Sequence, residues 1–210
     1  MHIYFSPLAC SLATRIALDE AGASADFIEV DPFTHRTLEG RELRDVSPLA
    51  LVPTLRTDDG EILTENAAVL RYVATRFPSA RLAPEGAMDR ARLDQWLSFV
   101  GTELHKVVFA PLFDRHAPEG ARAYALSKAP ARLDVLEAHL ADREHLLDGF
   151  TVADAYLVTV LNWAQATPVD LAKWPAVTRY LARQRSRPSV ARSLAIELPL
   201  YLEEQKRRSS

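Results

Sequence analysis

Apolar positions alternate with two different periods along this chain, and the change of period divides it. Residues 2–6 (HIYFS) form a short β-rich run. Pro7 follows, then a helical pattern with Leu12, Ile16 and Ala17 on one side, closed by Gly22. Residues 27–31 (FIEVD) read as a second strand, and residues 39–46 as a short polar helix ended by Ser47 and Pro48. Residues 54–57 and 61–63 read as a hairpin around the Asp58-Asp59-Gly60 turn. Val69, Leu70, Val73 and Phe77 then recur at helical spacing until Pro78 stops the run. The predicted order is β-α-β-α-β-β-α, an α+β layer in which helices cover a small mixed sheet.

After Pro78 the strand signals cease. The stretch 78–89 carries two prolines, a glycine and little apolar periodicity, so residues 79–87 read as a linker between a first domain over 1–78 and an all-helical domain over 88–210. Leu93, Leu97, Val100, Leu104 and Val107 make one stripe of a long helix over 90–113. A second helix carries Leu133, Leu136 and Leu140, and Pro130 is expected to kink or split it. The segment after Thr151 is apolar nearly all round, as a buried central helix is, and Thr151 with Asp154 has capping-box spacing at its start. Pro175 opens another helix and Pro188 a further short one.

Composition narrows the classes. The chain has 210 residues, 48% of them hydrophobic, enough to fill a core without staples. A formal charge of −3 and the lack of a basic run interleaved with aromatics argue against nucleic acid as a partner. Lys206, Arg207 and Arg208 read as a solvated helix end. No apolar stretch approaches the roughly 20 residues that span a bilayer, and no signal-peptide pattern opens the chain, so a soluble, cytoplasmic protein with no membrane partner is expected. One cysteine and no C-x-x-C argue against a disulfide scaffold, a zinc site or a dithiol pair, and no metal is expected.

Four stretches could carry chemistry. Cys10, in S-P-L-A-C-S, stands where strand gives way to helix; a helix starting near it would set the thiol against backbone N–H groups and favour a thiolate, its own or a ligand's. The alternative is a small buried hydrophobe. Ser6 and Ser11 are turn and cap residues, or Ser11 is a donor to a thiolate. In Leu51-Val52-Pro53-Thr54, a proline opening a strand suits a backbone turning away from the sheet, and with a cis bond Val52 would present its N–H and C=O to an extended peptide. Thr64-Glu65-Asn66 either caps the next helix through Thr64 or Asn66, or binds an α-amino-acid end, Glu65 taking the ammonium and Asn66 with the helix start the carboxylate. Gln95, Ser98, Thr102 and His105, with Lys106 adjacent, form a polar stripe that is either a solvated face or a cleft wall.

Taken in order, Ser6-Pro7 with Cys10-Ser11, Val52-Pro53, Thr64-Glu65-Asn66, Glu103-Leu104-His105-Lys106 and Thr151-Val152-Ala153-Asp154 make the chain, over about residues 1–200, resemble the cytosolic glutathione S-transferases, and within them the bacterial beta class. The resemblance implies a thioredoxin-like N-terminal domain followed by an all-α helical bundle, a homodimer, and glutathione as co-substrate in the cleft between the domains. It implies that Pro53 is cis and Val52 pairs with the tripeptide's cysteinyl backbone, that Glu65 and Asn66 take its γ-glutamyl end, and that Cys10 lies beside the glutathione sulfur, able to form a mixed disulfide. Ser11 and His105 become catalytic candidates. Leu51, Ser98, Thr102 and Lys106 become glutathione contacts, with His35 where several beta-class members carry a lysine toward the glycyl carboxylate. Ser98 stands where asparagine is common, and Thr102 where serine is. Val108, Phe109, Leu112 and Phe113 become an apolar wall for the electrophile. Thr151 and Asp154 match a folding element.

The activity so implied is detoxifying conjugation of the glutathione thiolate to small hydrophobic electrophiles. A glutathione-binding protein without catalysis, ligand-binding or regulatory, is the alternative, and a reductase using Cys10 as nucleophile is a third reading.

Overall fold

The computed structural model describes residues 1–118 and 120–209. They form two compact units. The first joins Met1–Leu82 to the residues from Pro188 onward, and the second is Ala83–Arg187.

The first unit is a thioredoxin-like layer. Strands β1 (His2–Phe5), β2 (Asp26–Asp31), β3 (Arg36–Thr37), β4 (Thr54–Arg56) and β5 (Ile62–Leu63) make one mixed sheet in the order β3-β2-β1-β4-β5. β1 pairs parallel with β2, Ile3 opposite Phe27, and antiparallel with β4, Ile3 opposite Leu55. The β1–β2 crossover runs through α1 (Leu12–Glu20), and α2 (Asn66–Arg76) follows β5. Ile3, Leu12, Ile16, Leu55, Leu70 and Val73 are fully buried between these layers. The hairpin is as expected, with Gly60 at φ 89° in its turn, a conformation glycine reaches without steric cost.

Three expectations change in this unit. Residues 39–46 are not a helix: β3, absent from the sequence reading, closes on a loop in which the Thr37 N–H donates to the Arg41 carbonyl and the Arg41 N–H to Thr37 Oγ1. Only a 3₁₀ turn, Leu43–Asp45, remains there, because Leu43 is the single fully buried apolar anchor in the stretch. The boundary at residue 78 moves to 82, and Leu82, 1% exposed, belongs to this unit's core. The helix opened by Pro188 is long rather than short, α8 (Pro188–Ser209), and it packs with this unit instead of extending the helical one to Ser210, which lies outside the described residues.

The face that α8 buries is mostly polar, with Val190 the fully buried apolar residue on it. Ser189, Ser193, Glu197 and Glu204 are at most 2% exposed, whereas Ile196, Leu198 and Leu202 are about half exposed. Glu197 accepts hydrogen bonds from Arg15 Nε at 2.7 Å and from the Leu8 N–H at 2.8 Å. The Arg15 guanidinium lies 3.5 Å from the centre of the Phe27 ring, a cation–π contact. Arg192 with Asp19 and Arg207 with Glu29 add ion pairs along the same helix.

The second unit is helical: α3 (Ala87–Phe99), a π-helical segment (Val100–Phe109), α4 (Ala110–Phe113), α5 (Ala121–Leu140), α6 (Val152–Asn162) and α7 (Pro175–Ser186). The long helix expected over 90–113 thus changes winding in its middle. α5 keeps Pro130 in its interior without splitting, because Ala125, Ala129, Leu133, Leu136 and Leu140 bury a continuous stripe. All ten residues from Val152 to Leu161 are buried, and the Thr151–Asp154 capping box is formed. The Asp154 carboxylate also accepts from the Leu146 N–H and the Tyr180 hydroxyl, tying α6 to α7. Among the described residues no helix is long and apolar enough to cross a membrane.

Candidate active site

At the start of α2 a polar side chain is buried with nothing to bond. Asn66 is 8% exposed, and neither its amide oxygen nor its amide nitrogen has a hydrogen-bond partner among the described residues. A buried amide left unsatisfied costs about 1–3 kcal/mol per group, so a pair of this kind calls for a reason. Glu65, the preceding residue, is exposed and sits at φ 65°, a strained conformation for a side-chain-bearing residue, and α2 begins with no side-chain cap. Capping by Thr64 or Asn66 is therefore not the role the structure gives them. The first turn of this eleven-residue helix carries no acidic side chain and no side-chain cap.

Next to β4 the Val52–Pro53 peptide bond is cis. Pro53 is buried, Leu51 is half exposed, and Thr54 Oγ1 donates to the Leu51 carbonyl at 2.8 Å. His35 braces this loop: Nδ1 lies 3.0 Å from the Ala50 carbonyl. A carbonyl only accepts, so Nδ1 carries a proton and donates to it. His35 and Ala50 both have positive φ, 57° and 50°. The backbone of His35 is pinned by bonds to Asp31 and Leu43, each 2.9 Å.

Cys10 lies against the same loop. Its Sγ donates to the Val52 carbonyl at 3.1 Å, so one carbonyl joins the thiol to the cis-proline turn. The expectation of backbone N–H groups open toward the thiol is not met in the first turn of α1. The N–H groups of Leu12, Ala13 and Thr14 already donate to the carbonyls of Ala9, Cys10 and Ser11. Ser11, fully buried, spends its hydroxyl on Ser6: Oγ donates to the Ser6 carbonyl at 3.2 Å and accepts the Ser6 N–H at 3.3 Å. That bond holds the strand-to-helix turn in shape, and it leaves the Ser11 hydroxyl no proton to give a thiolate.

In the helical unit Gln95, Ser98, Thr102 and Lys106 are exposed, and the Thr102 hydroxyl donates back to the Ser98 carbonyl at 2.9 Å. His105 differs from this stripe. It is mostly buried, its Nδ1 lies 2.7 Å from the Tyr156 hydroxyl, and its ring meets those of Tyr156 and Trp163 edge-on at 6.0 and 4.8 Å. Burial lowers its pKa to about 4, with the Lys106 charge acting in the same direction, so the ring is neutral at physiological pH.

The apolar wall is not as expected. Val108 and Phe109 are core residues, Leu112 is nearly so, and of the four only Phe113 is substantially exposed. The aromatic surface is organised around Trp163, 5.8 Å from Phe113 and 5.9 Å from Phe109. Tyr156 and Trp163 were missed in the sequence; their spacing of seven, two turns along α6 and its 3₁₀ extension, is the signal that places them on one side. The π-helical segment that carries His105 is held to α5 by Arg132, whose Nε and Nη2 both donate to one Glu103 oxygen at 3.0 and 2.7 Å. Among the described residues no three His, Cys, Asp or Glu side chains are placed to hold a metal ion.

Comparison with known proteins gives this arrangement a family. Residues 9–76 match the glutathione S-transferase N-terminal domain and residues 101–188 the glutathione S-transferase C-terminal domain. The chain is 36% identical over 200 residues to glutathione S-transferase GstA of Escherichia coli O157:H7, covering 94% of this chain and 98% of that one. A sphingomonad glutathione S-transferase solved in complex with glutathione superposes with a TM-score of 0.89 at 41% identity, over 94% of this chain and 98% of its own. The beta-class glutathione S-transferase of Sphingomonas chungbukensis gives the same TM-score, identity and coverage. The open α2 terminus, the cis-proline loop and the cysteine beside it thus stand on a thioredoxin-like layer of known lineage, and the chain belongs to the glutathione S-transferase family, in its bacterial beta class.

Proposed function

We propose that this protein transfers the thiolate of glutathione to small hydrophobic electrophiles. The buried, unpartnered Asn66 amide carries the reading, because a γ-glutamyl end supplies both an acceptor and a donor for it, and a carboxylate for the open helix terminus. Glu65 takes the ammonium. Val52 pairs with the cysteinyl backbone between Leu51 and Pro53, and His35 serves the glycyl carboxylate. Cys10, tied to the Val52 carbonyl, neighbours the glutathione sulfur. From the helical unit the reading assigns Ser98, Thr102 and Lys106 to glutathione, His105 to its sulfur, and Phe113 with Trp163 to the electrophile. It also takes the protein to act in the cytoplasm as a homodimer, in detoxification.

The chemistry asked of the protein is modest. A thiol with pKa near 8.5 is only a few per cent ionised at neutral pH, and each unit removed is worth about 1.4 kcal/mol. Hydrogen-bond donors aimed at the sulfur lower it. The thiol proton leaves to solvent, and the sulfur lone pair attacks the electrophilic carbon as its leaving group departs.

Asn66→Leu tests the reading. With an aryl-halide substrate, the KM for glutathione rises about tenfold or more, as loss of hydrogen bonds to a charged ligand requires, while kcat changes little. Melting temperature without glutathione stays level or rises, because an unsatisfied amide has been removed. An unchanged KM overturns the assignment. Glutathione binding without turnover of any electrophile would favour the non-catalytic alternative. Intact mass after oxidised glutathione reports the Cys10 chemistry: one glutathione adduct on the natural chain and none on Cys10→Ala.

A further inference from the structure

Tyr156 has no assigned part in the reaction, yet its hydroxyl makes a polar contact with the His105 ring. The hydroxyl and Nδ1 are 2.7 Å apart. That length is ordinary for an O–H donor and short for an N–H donor, whose distances cluster near 2.9–3.0 Å. Acidity points the same way. A phenol, with pKa near 10, is a far stronger acid than a neutral imidazole N–H, and an imidazole nitrogen is a far better acceptor than a phenol oxygen. The proton of this bond therefore belongs to Tyr156. With Nδ1 occupied as an acceptor, the single proton of the neutral ring sits on Nε2.

We infer that Tyr156 is a positioning residue for His105: its hydroxyl fixes the ring in the Nε2–H tautomer, so that His105 meets the glutathione sulfur as a hydrogen-bond donor and not as the base that removes its proton. The inference rests on the proposed role of His105 at that sulfur, and the geometry around the ring supports it. Tyr156 is 3% exposed in a helix whose first ten residues are all buried, so its hydroxyl is held in place. The Trp163 ring, edge-on at 4.8 Å, restricts the imidazole from another direction. On the His105 side, the Ala110 N–H donates to the His105 carbonyl in an i→i+5 bond, and this wider winding sets the rotation at which the imidazole leaves the helix. A ring kept neutral by burial suits a donor, since it lends a proton to the anion without carrying a charge into an apolar site.

The tautomer can be read directly on the full-length protein labelled with ¹⁵N-histidine. Long-range proton–nitrogen correlations at neutral pH, with the His105 signals assigned by their loss in His105→Gln, should show Nδ1 unprotonated and Nε2 protonated. The reverse pattern overturns the inference without any variant of Tyr156 having to fold. In Tyr156→Phe the ring should lose its single tautomer, and the acid limb of the kcat/KM pH profile should move up by about one unit, the size of one hydrogen bond to a charged group, with KM for glutathione little changed. A role confined to packing would lower stability and leave tautomer and pH profile where they were, and that result would also overturn it. His105→Ala separates the two layers of the argument. If it leaves the thiol titration of bound glutathione unmoved, the placement of His105 at the sulfur fails, whereas the nitrogen correlations alone decide what Tyr156 does.

Discussion

His105 shows how a single residue's burial reaches both chemistry and stability. Its folded-state pKa, about 4, lies below the 6.5 of an unhindered histidine. Between those values the unfolded chain binds a proton that the folded chain does not, so the contribution of this residue to stability falls as pH falls through that window. A difference of about 2.5 units amounts to roughly 3 kcal/mol across the whole window. Urea unfolding of the natural chain should therefore lose more stability between pH 7 and pH 5 than His105→Gln does; equal losses would mean the ring is better solvated than its contacts indicate. The sequence marked His105 as one member of a polar stripe at helical spacing. It could not separate a solvated position from a buried one, because that distinction is made by Tyr156 and Trp163, which are distant in the chain and adjacent in space.

At the scale of the element, α8 is held by charge. The buried pair of Arg15 and Glu197 spans the two ends of the sequence, and burial raises the Glu197 pKa in spite of the guanidinium beside it. Removing either partner alone strands the other charge. Glu197→Leu should cost about 3–5 kcal/mol, whereas the double change Arg15→Met with Glu197→Leu should cost less than either single one. A urea-denaturation cycle over the four proteins measures this, and simple additivity would show that the pair is screened by water. Element boundaries set by hydrophobic period were legible: α1, α2, α6 and the β4–β5 hairpin fall where the sequence places them. The buried face of α8 was not, since Ser189, Ser193, Glu197 and Glu204 follow helical spacing with polar side chains that a hydrophobic pattern counts as solvent-facing. The π-helical segment was equally hidden, because the apolar residues within it satisfy a 3.6-residue period well enough to read as one long helix.

For the whole molecule, the return of α8 to the first unit makes the thioredoxin-like layer a product of both chain ends. A chain ending at Arg187 would leave Arg15 without its carboxylate and the Leu8 N–H without its acceptor, next to the turn that carries Cys10. Hydrogen exchange on that truncated chain should show protection lost in β1, β2 and α1 and retained in α5 and α6. Uniform loss across both units would instead mean that the molecule unfolds as one cooperative block. The sequence by itself determined the fold class, the change from mixed sheet to helices, and the motifs of the candidate site in unit one, since each depends on local spacing, turn chemistry and short runs that need no partner. Tertiary structure alone decided that the Asn66 amide is buried without a hydrogen bond among the described residues, that Ser11 serves Ser6, that Val108 and Phe109 are core, and that the last helix belongs with the first strand. Burial and hydrogen-bond satisfaction are properties of neighbours in space, and the chain does not name those neighbours until it has folded.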